Sequence, residues 1–501
     1  MLYVTNFIAS TIIIILLFYL IKYISDKFRQ YKMVKKFSGP KAYPLIGNLN
    51  ELLGDQNDVT QKLLNISINY SSPWRLWIGP RLCIGFDDPE NIKILSKSSI
   101  GYEKSSQYIF VKNYFGNGIF TAPASIWDIH RTILSPAFKE VSTYMDYIVK
   151  NSNRLVNMLE TTNGKNVDIM HYVTLCAMDI IYDSFLESDL NLQSNPDCKL
   201  DEYMSEVMDI NVIRAIKFWL HPNIIFNNSS MGKRLQEILS PLHKITNEII
   251  RKKKDSMNKD NFTWEGKDPY AKKDTRPFLD AIFKSFYETG EYSEAAIYDE
   301  INTIVFGGSD TVATALTFLF LMLATFPDIQ NQVYEELYAI YGSSDPKDIP
   351  IAMVDTKKMI YLERVIKETL RLFPPAPVFG RTLYHDTKVN DNVTIPKNCD
   401  LFFIIYTLHR KDKYWADPLR FNPDRFLPGN YNHKCFLPFS FGKRGCSGQM
   451  FAMTEMKTIT ATVLRQFIVQ IDKPVPVENI NLKFNITTKP AETIFLRFKK
   501  R

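Results

Sequence analysis

Of the six cysteines in this chain, one sits where sulfur can do chemistry. Cys446 lies in the run Phe439-Ser440-Phe441-Gly442-Lys443-Arg444-Gly445-Cys446-Ser447-Gly448. The three glycines let the backbone approach a bound group closely and turn its amides inward. Amides aimed at a sulfur stabilise a thiolate, and a metal deprotonates the thiol outright. Gln449 onward reads as a helix, which places Cys446 near its positive end. Arg444, two residues before the sulfur, is placed to meet a carboxylate. Together these residues describe a thiolate held under a macrocycle that carries acidic groups. A bare Gly-x-x-Cys would be only a glycine loop around a buried thiol. The other cysteines (Cys83, Cys176, Cys198, Cys399 and Cys435) form no Cys-x-x-Cys pair and read as small buried residues in a reducing compartment.

The full Phe-x-x-Gly-x-Arg-x-Cys-x-Gly pattern resembles that of the cytochrome P450 superfamily. The resemblance extends from the proline segment near residue 40 to the last strands, and is nearest the animal family-4 clan, insect members especially. It implies non-covalent haem b with Cys446 as metal ligand, and Arg444 and Phe439 among the residues that bind the cofactor. Glu368-Thr369-Leu370-Arg371 is an E-x-x-R on one helix face, ending at Pro374-Pro375. The resemblance implies that Glu368, Arg371 and Arg425 lock together and brace the cysteine loop structurally.

Trp127-Asp128-Ile129-His130-Arg131 matches the family's W-x-x-x-R, and Arg381 follows Pro374-Pro375-Ala376-Pro377. The indole N–H and the guanidiniums can donate to haem propionates. Gly307-Gly308-Ser309-Asp310-Thr311 lies inside a long helix expected to begin near Ser293. Two adjacent glycines cost a helix roughly 1 kcal/mol each relative to Ala. A Thr311 hydroxyl bonded to the Gly307 carbonyl bends the helix and makes room for dioxygen. The resemblance implies that Thr311 and Asp310 are catalytic: the hydroxyl holds the distal oxygen or a water, and the acid feeds protons through water. Many clan members carry Glu where this chain has Gly307, and His where it has Ser309. The missing Glu argues for haem without an ester link, and both changes are expected to face the pocket.

The implied reaction is monooxygenation, one atom of O2 entering a lipophilic molecule that is fatty-acid-like, hydrocarbon, hormone or xenobiotic. The alternatives are a haem-thiolate isomerase or dehydratase needing no reductase, and a non-catalytic ligand-binding haem protein. The chain has no flavin or nicotinamide motif. The resemblance implies NADPH-cytochrome P450 reductase as the electron donor, with cytochrome b5 as a further one. Lys434, Lys443 and Lys139 are candidates for its docking face. Substrate contacts are expected from Tyr102–Thr121, Ile213–Phe226, Ile301–Thr311, Val378–Phe379 and Thr487–Pro490, largely apolar segments. Ile224, Ile225 and Phe226, with Phe218 and Trp219, are candidates to dip into a bilayer.

The elements that must position these residues follow from periodicity. From about 50 to 370 the pattern is mostly helical, with short strands near 74–84, 393–406 and 481–498. Residues 251–275 read as an exposed loop. The fold class is mainly α with a small β part, the large helical and small β-rich regions expected around a haem. No charged side chain occurs from Met1 to Ile21, and Lys22, Lys27, Arg29, Lys32, Lys35 and Lys36 follow. That is a single transmembrane anchor with its basic flank in the cytosol. It is followed by a stiff segment in which Pro40 and Pro44 stop the helix. The expected division is 1–21 anchor, 22–47 basic stop-transfer and hinge, and 48–501 catalytic domain, in the endoplasmic reticulum (microsomal) membrane. The net charge of +7 comes without zinc-finger or RNA-recognition signatures, so no nucleic-acid partner is expected. The uncharged run Val312–Phe326 is too short to span and reads as a buried core helix.

Overall fold

The computed structural model of the chain describes residues 2–97, 103–195, 198–259, 277–342, 349–391 and 393–501. Tyr102 and most of the expected 251–275 loop lie outside these residues. The part within them is helical, because the Ser230–Lys259 helix carries through the basic run Arg251-Lys252-Lys253-Lys254. Lys253 is drawn inward there to Asp280 at 2.6 Å and Glu187 at 2.8 Å, so this stretch is not the loop its charge implied.

The apolar N-terminal run opens a helix over Leu2–Val34. Its apolar side chains stand clear of the rest of the protein, as a membrane anchor requires. The helix ends at Val34, six residues before Pro40, so the prolines do not stop it. Val34 and Phe37 are instead buried against Leu82, Ile84 and Leu401. Arg29 reaches Asp386 at 2.5 Å, and Gln30 donates to the Lys397 carbonyl at 2.8 Å. The basic flank is thus docked on the β-rich region.

The central element is the helix Glu294–Thr325. Ser293 caps it by accepting from the Ala296 amide at 3.1 Å, and Glu294 complements the dipole in the first turn. It ends at Phe326 because Pro327 opens the next helix and forces the preceding residue out of the α region. Every residue from Val312 to Ala324 is buried, so the second uncharged run is core. Helix Ile169–Ser184 packs against it so closely that a Cβ on Gly308 would lie 2.3 Å from Ile181.

Four strands make the main sheet, in the order Trp74–Ile78, Arg81–Phe86, Cys399–Ile404, Val378–Leu383. The middle pair runs parallel, with Ile84 opposite Leu401, and the last pair antiparallel, with Arg381 opposite Leu401. An antiparallel bridge joins Lys104 to Arg381 at the sheet's edge. A C-terminal hairpin pairs Leu482–Phe484 with Thr488–Pro490, setting Lys489 opposite Lys483.

Candidate functional site

The cysteine loop is folded on itself. The Cys446 amide donates to the Phe439 carbonyl at 2.9 Å, and the Gly445 amide to Gly442 at 3.0 Å. Ser440 and Gly442 take φ of +65° and +66°, which only glycine adopts without strain. The helix Gln449–Gln466 follows directly. The Cys446 side chain is exposed, but the protein packed around it pushes its thiol up; the Gly448 amide and the Arg131 charge pull it back down. Arg131, on the helix Ala124–Leu134, bonds the Ser447 hydroxyl. It also lies 5.9 Å over the indole of Trp127.

The Arg444 guanidinium lies 4.4 Å over the buried indole of Trp127 and donates to the Ala122 carbonyl at 2.8 Å. Arg381 is buried and donates to Gly380 at 2.8 Å. A third cation, Lys104, joins them. Antiparallel partners share a sheet face, so the bridge to Arg381 puts both side chains on one side. Its ammonium sits over the rings of Tyr108 at 4.7 Å and Phe120 at 4.6 Å. Burial and then the charges of Arg381 and Arg444 hold Lys104 well below the usual ammonium range. Burial and Arg381 push Arg444 down to about 10.

Arg381 and Arg444 both depress Lys104, and Arg381 depresses Arg444, so the cluster is electropositive. An electropositive cluster beside the cysteine loop fits a haem with its two propionates. On the central helix, Gly307 is open: a Cβ there would meet nothing within 4 Å. Gly308 does a different job, admitting Ile181. Ser309 is packed away with its hydroxyl on the Val305 carbonyl, so it does not face the pocket as expected. The Thr311 hydroxyl donates to the Gly307 carbonyl at 2.8 Å, as its spacing implied.

Asp310 is buried, and both its oxygens are engaged. Oδ2 accepts from the Thr487 hydroxyl at 2.7 Å and Oδ1 from Lys489 at 2.6 Å. Thr487–Pro490, expected as an apolar substrate contact, is here a polar one to the acid. Phe226 is likewise buried under the Arg214 guanidinium at 4.0 Å, while Ile224, Ile225, Phe218 and Trp219 stay exposed.

The brace is complete. Glu368 and Arg371 are fully buried on the helix Ile360–Leu372. Arg371 grips Glu368 with Nε at 2.7 Å and a second nitrogen at 2.8 Å. The Asn422 amide at 2.9 Å and Arg425 Nε at 3.2 Å complete the carboxylate's shell. Arg425 also donates to the Ala416 and Asp417 carbonyls, holding the turn that precedes the cysteine loop. The link to that loop is a residue the sequence did not mark. Arg371 donates to the His409 carbonyl at 2.8 Å, and His409 Nε2 accepts the Leu437 amide at 2.9 Å. Burial and the flanking Arg371 drive the imidazole down to about 3, so it is neutral and able to accept.

The family described as Cytochrome P450 matches residues 37–497. The chain is similar to cytochrome P450 4V2 of Mus musculus, 32% identical over 98% of this chain and 94% of that one. Its human counterpart is 32% identical over 92% and 89%. The probable cytochrome P450 4s3 of Drosophila melanogaster is 31% identical over 94% and 93%.

Proposed function

The chain belongs to the cytochrome P450 family as a haem monooxygenase of the family-4 type, and we propose that Cys446 would hold the haem iron and that the protein oxygenates a lipophilic small molecule. The observation that carries this reading is the pairing of the cysteine loop with the cation nest of Lys104, Arg381 and Arg444. When bound, the haem would supply the activation of dioxygen, with its iron held by the Cys446 thiolate.

The chain's own residues do the rest. The Gly448 amide and Arg131 stabilise a thiolate on Cys446. Trp127 and the three cations hold the acidic edge of the cofactor. Gly307 leaves room on the helix face that carries Thr311. Thr311 holds oxygen or water with its hydroxyl, and Asp310 passes protons towards it. Glu368, Arg371 and Arg425 keep the loop in register and take no part in the chemistry. The absence of a Glu at 307 leaves the cofactor without an ester bond to the chain.

P450 enzymes in general draw electrons from a redox partner and act on lipophilic substrates. For this chain we assign NADPH-cytochrome P450 reductase as the donor, with cytochrome b5 as a second. Lys443 and the exposed Lys139 are the docking candidates. Lys434 is already paired with Glu90 at 2.9 Å, a contact exposed enough to exchange. The apolar N-terminal helix anchors the protein, and its basic flank argues for the endoplasmic reticulum membrane with residues 48–501 as a cytosolic catalytic domain. Exposed Phe218, Trp219, Ile224 and Ile225 offer a second membrane contact through which a lipophilic substrate enters.

The test is the difference spectrum of the reduced protein with and without carbon monoxide. A strongly red-shifted Soret band that Cys446→Ala abolishes is the expected result. A band at the imidazole position, or one that survives Cys446→Ala, would remove the assignment.

A further inference from the structure

We propose that His171 and Asp201 form a proton-operated clamp on the start of the helix Leu200–Ile216, closed when the imidazole is charged, and that its release speeds ligand exchange at the segments this helix holds. The ligand half of the inference rests on the reading of Ile213–Phe226 as substrate contacts. His171 Nδ1 meets Asp201 Oδ2 at 2.7 Å, joining the first turn of the helix Ile169–Ser184 to the first turn of Leu200–Ile216. The Asp201 side chain is about nine-tenths buried, and its Oδ1 has no donor among the described residues. The imidazole keeps about a third of its surface, so solvent protons reach it.

The place of His171 in its own helix disfavours a cation, because it lies in the first turn, at the positive end of the dipole. The bond to Asp201 nonetheless raises the imidazole above its ordinary value; partial burial opposes this, and the charges of Asp201, Asp168 and Glu202 add to the rise. Asp168 is the cap of the same helix, accepting the Met170 amide at 3.0 Å. The Cys198 thiol at this junction is pushed up by burial and by Asp201, Asp179 and Glu202, against the Leu200 amide, and stays neutral. A raised folded value fixes the sign. The clamp contributes fully below the unfolded value of ~6.5, and its contribution is lost as pH rises through the folded one.

The start of the Leu200–Ile216 helix depends on this contact, because Lys199 gives it no side-chain cap. The far end is tied by groups with no proton to exchange near neutrality. Asn211 exchanges hydrogen bonds with Asn113 at 2.8 and 3.1 Å. Arg214 donates to the Leu220 and His221 carbonyls, each at 3.1 Å, and to Asn223 Oδ1 at 2.6 Å. Its guanidinium lies 4.0 Å over the Phe226 ring and 5.7 Å over that of Phe110. One end of the helix is therefore fixed and the other conditional on a proton. Met204, Val207 and Met208, buried under its first half, are the contacts that a released start loosens.

Hydrogen exchange is followed in the full-length, haem-loaded protein from about pH 5.5 to 8.5, bracketing the ordinary imidazole value. Each rate is divided by that of the unstructured peptide at the same pH. The amides of Tyr203, Met204 and Ser205 should lose about three- to tenfold in protection as pH rises, the linkage of a half to one unit of raised pKa. His171→Gln should hold them at the parent's high-pH protection throughout, and His171→Arg at its low-pH protection. A merely structural pair would change the variants and leave the parent without an inflection, which overturns the clamp. If His171→Gln fails to fold, Asp201→Asn decides: an inflection that survives it at the same pH overturns the clamp equally. Ligand exchange is read with 4-phenylpyridine, whose departure is followed by its Soret shift. Its off-rate should rise over the same pH range in the parent and stay flat in both His171 variants. A flat off-rate in the parent, with Ile213→Ala still altering probe binding, overturns the coupling and leaves the substrate segments standing. An Ile213→Ala protein that binds the probe like the parent overturns the reading of that segment and the coupling with it, while the exchange profile still decides the clamp.

Discussion

Glu368→Gln is the sharpest perturbation of the brace, because it changes one charge and almost no volume. The carboxylate accepts four hydrogen bonds: two from Arg371, one from the Asn422 amide and one from Arg425. All four partners are donors, so an amide nitrogen at either oxygen position sets donor against donor. If nitrogen replaces Oε2, one bond to Arg371 is lost; if it replaces Oε1, three are lost. Arg371 is wholly buried, and removing its counter-charge leaves a cation with no water to take over. Breaking a buried pair in this way costs about 3–5 kcal/mol. Each donor left unsatisfied adds about 1–3 kcal/mol. Against a total stability of about 5–15 kcal/mol, the loss is large enough to be visible without ambiguity. The effect should also travel, because Arg371 positions the His409 carbonyl and His409 holds the Leu437 amide two residues before Phe439. Urea unfolding should show a much lower midpoint, and haem should pass to an apoprotein trap faster than from the parent. A Glu368→Gln protein with the parent's midpoint and haem retention would refute the reasoning.

Three further outcomes follow from the same geometry. Lys104→Met should have opposite signs with and without haem. The haem-free protein gains stability, since a desolvated ammonium beside two guanidiniums is gone. The holoprotein loses a charge-assisted bond of about 1.5–3 kcal/mol, or roughly ten- to a hundredfold in haem affinity; equal shifts in the two melts would refute this. Glu455 is fully buried, and neither oxygen meets a donor among the described residues, so burial holds its carboxyl well above the usual range. Its neutral form favours the fold below the unfolded pKa, and that stability is lost as pH rises through the folded value. The slope is up to about 1.4 kcal/mol per pH unit. Glu455→Gln should therefore stabilise relative to the parent increasingly above pH ~4.5, and a pH-independent difference would contradict it. Acid–acetone extraction should strip haem from the parent completely, since Gly307 offers no carboxyl for an ester; haem left on the chain would count against that.

Local spacing made some of this site legible and left the rest invisible. Glu368 and Arg371 stand three apart on one helix, so their pairing is written in a single turn. Thr311 and the Gly307 carbonyl are four apart, and their bond follows in the same way. Lys104, His409 and Lys489 carry no such mark. Lys489 is 179 residues from Asp310, and only the hairpin register brings it there. Lys104 meets Arg381 through one isolated bridge at a sheet edge. The two glycines show the same limit in miniature. As a pair they read as one groove, yet Gly308 is used up by Ile181 and only Gly307 is open. The anchor's length was clear from hydropathy, but its end was not, because Val34 and Phe37 are drawn into a core made by distant strands.

The central helix explains why so many of these devices converge. Its second half is an uninterrupted buried run, which fixes the helix by hydrophobic contact on all sides. That leaves the first half free to carry polar groups, and each one bonds a different neighbour. Asp299 accepts the Asn117 amide at 2.7 Å, and Glu300 accepts the Ile119 amide at 3.0 Å and meets His130 at 2.8 Å. His130 stands between Trp127 and Arg131 in sequence and stacks on Tyr292, so Glu300 sets the rotation of the helix that presents both. Asn302 joins Tyr114 at 3.1 Å and Thr246 at 2.8 Å, and Asp310 joins the C-terminal hairpin. Buried polar groups satisfied this way add little net stability but specify one arrangement of their partners. The cysteine loop, by contrast, is braced from the Ile360–Leu372 helix on the other side. The cysteine loop and the Gly307–Thr311 face are thus held by two separate polar systems, so damage to either should be measurable without collapse of the other.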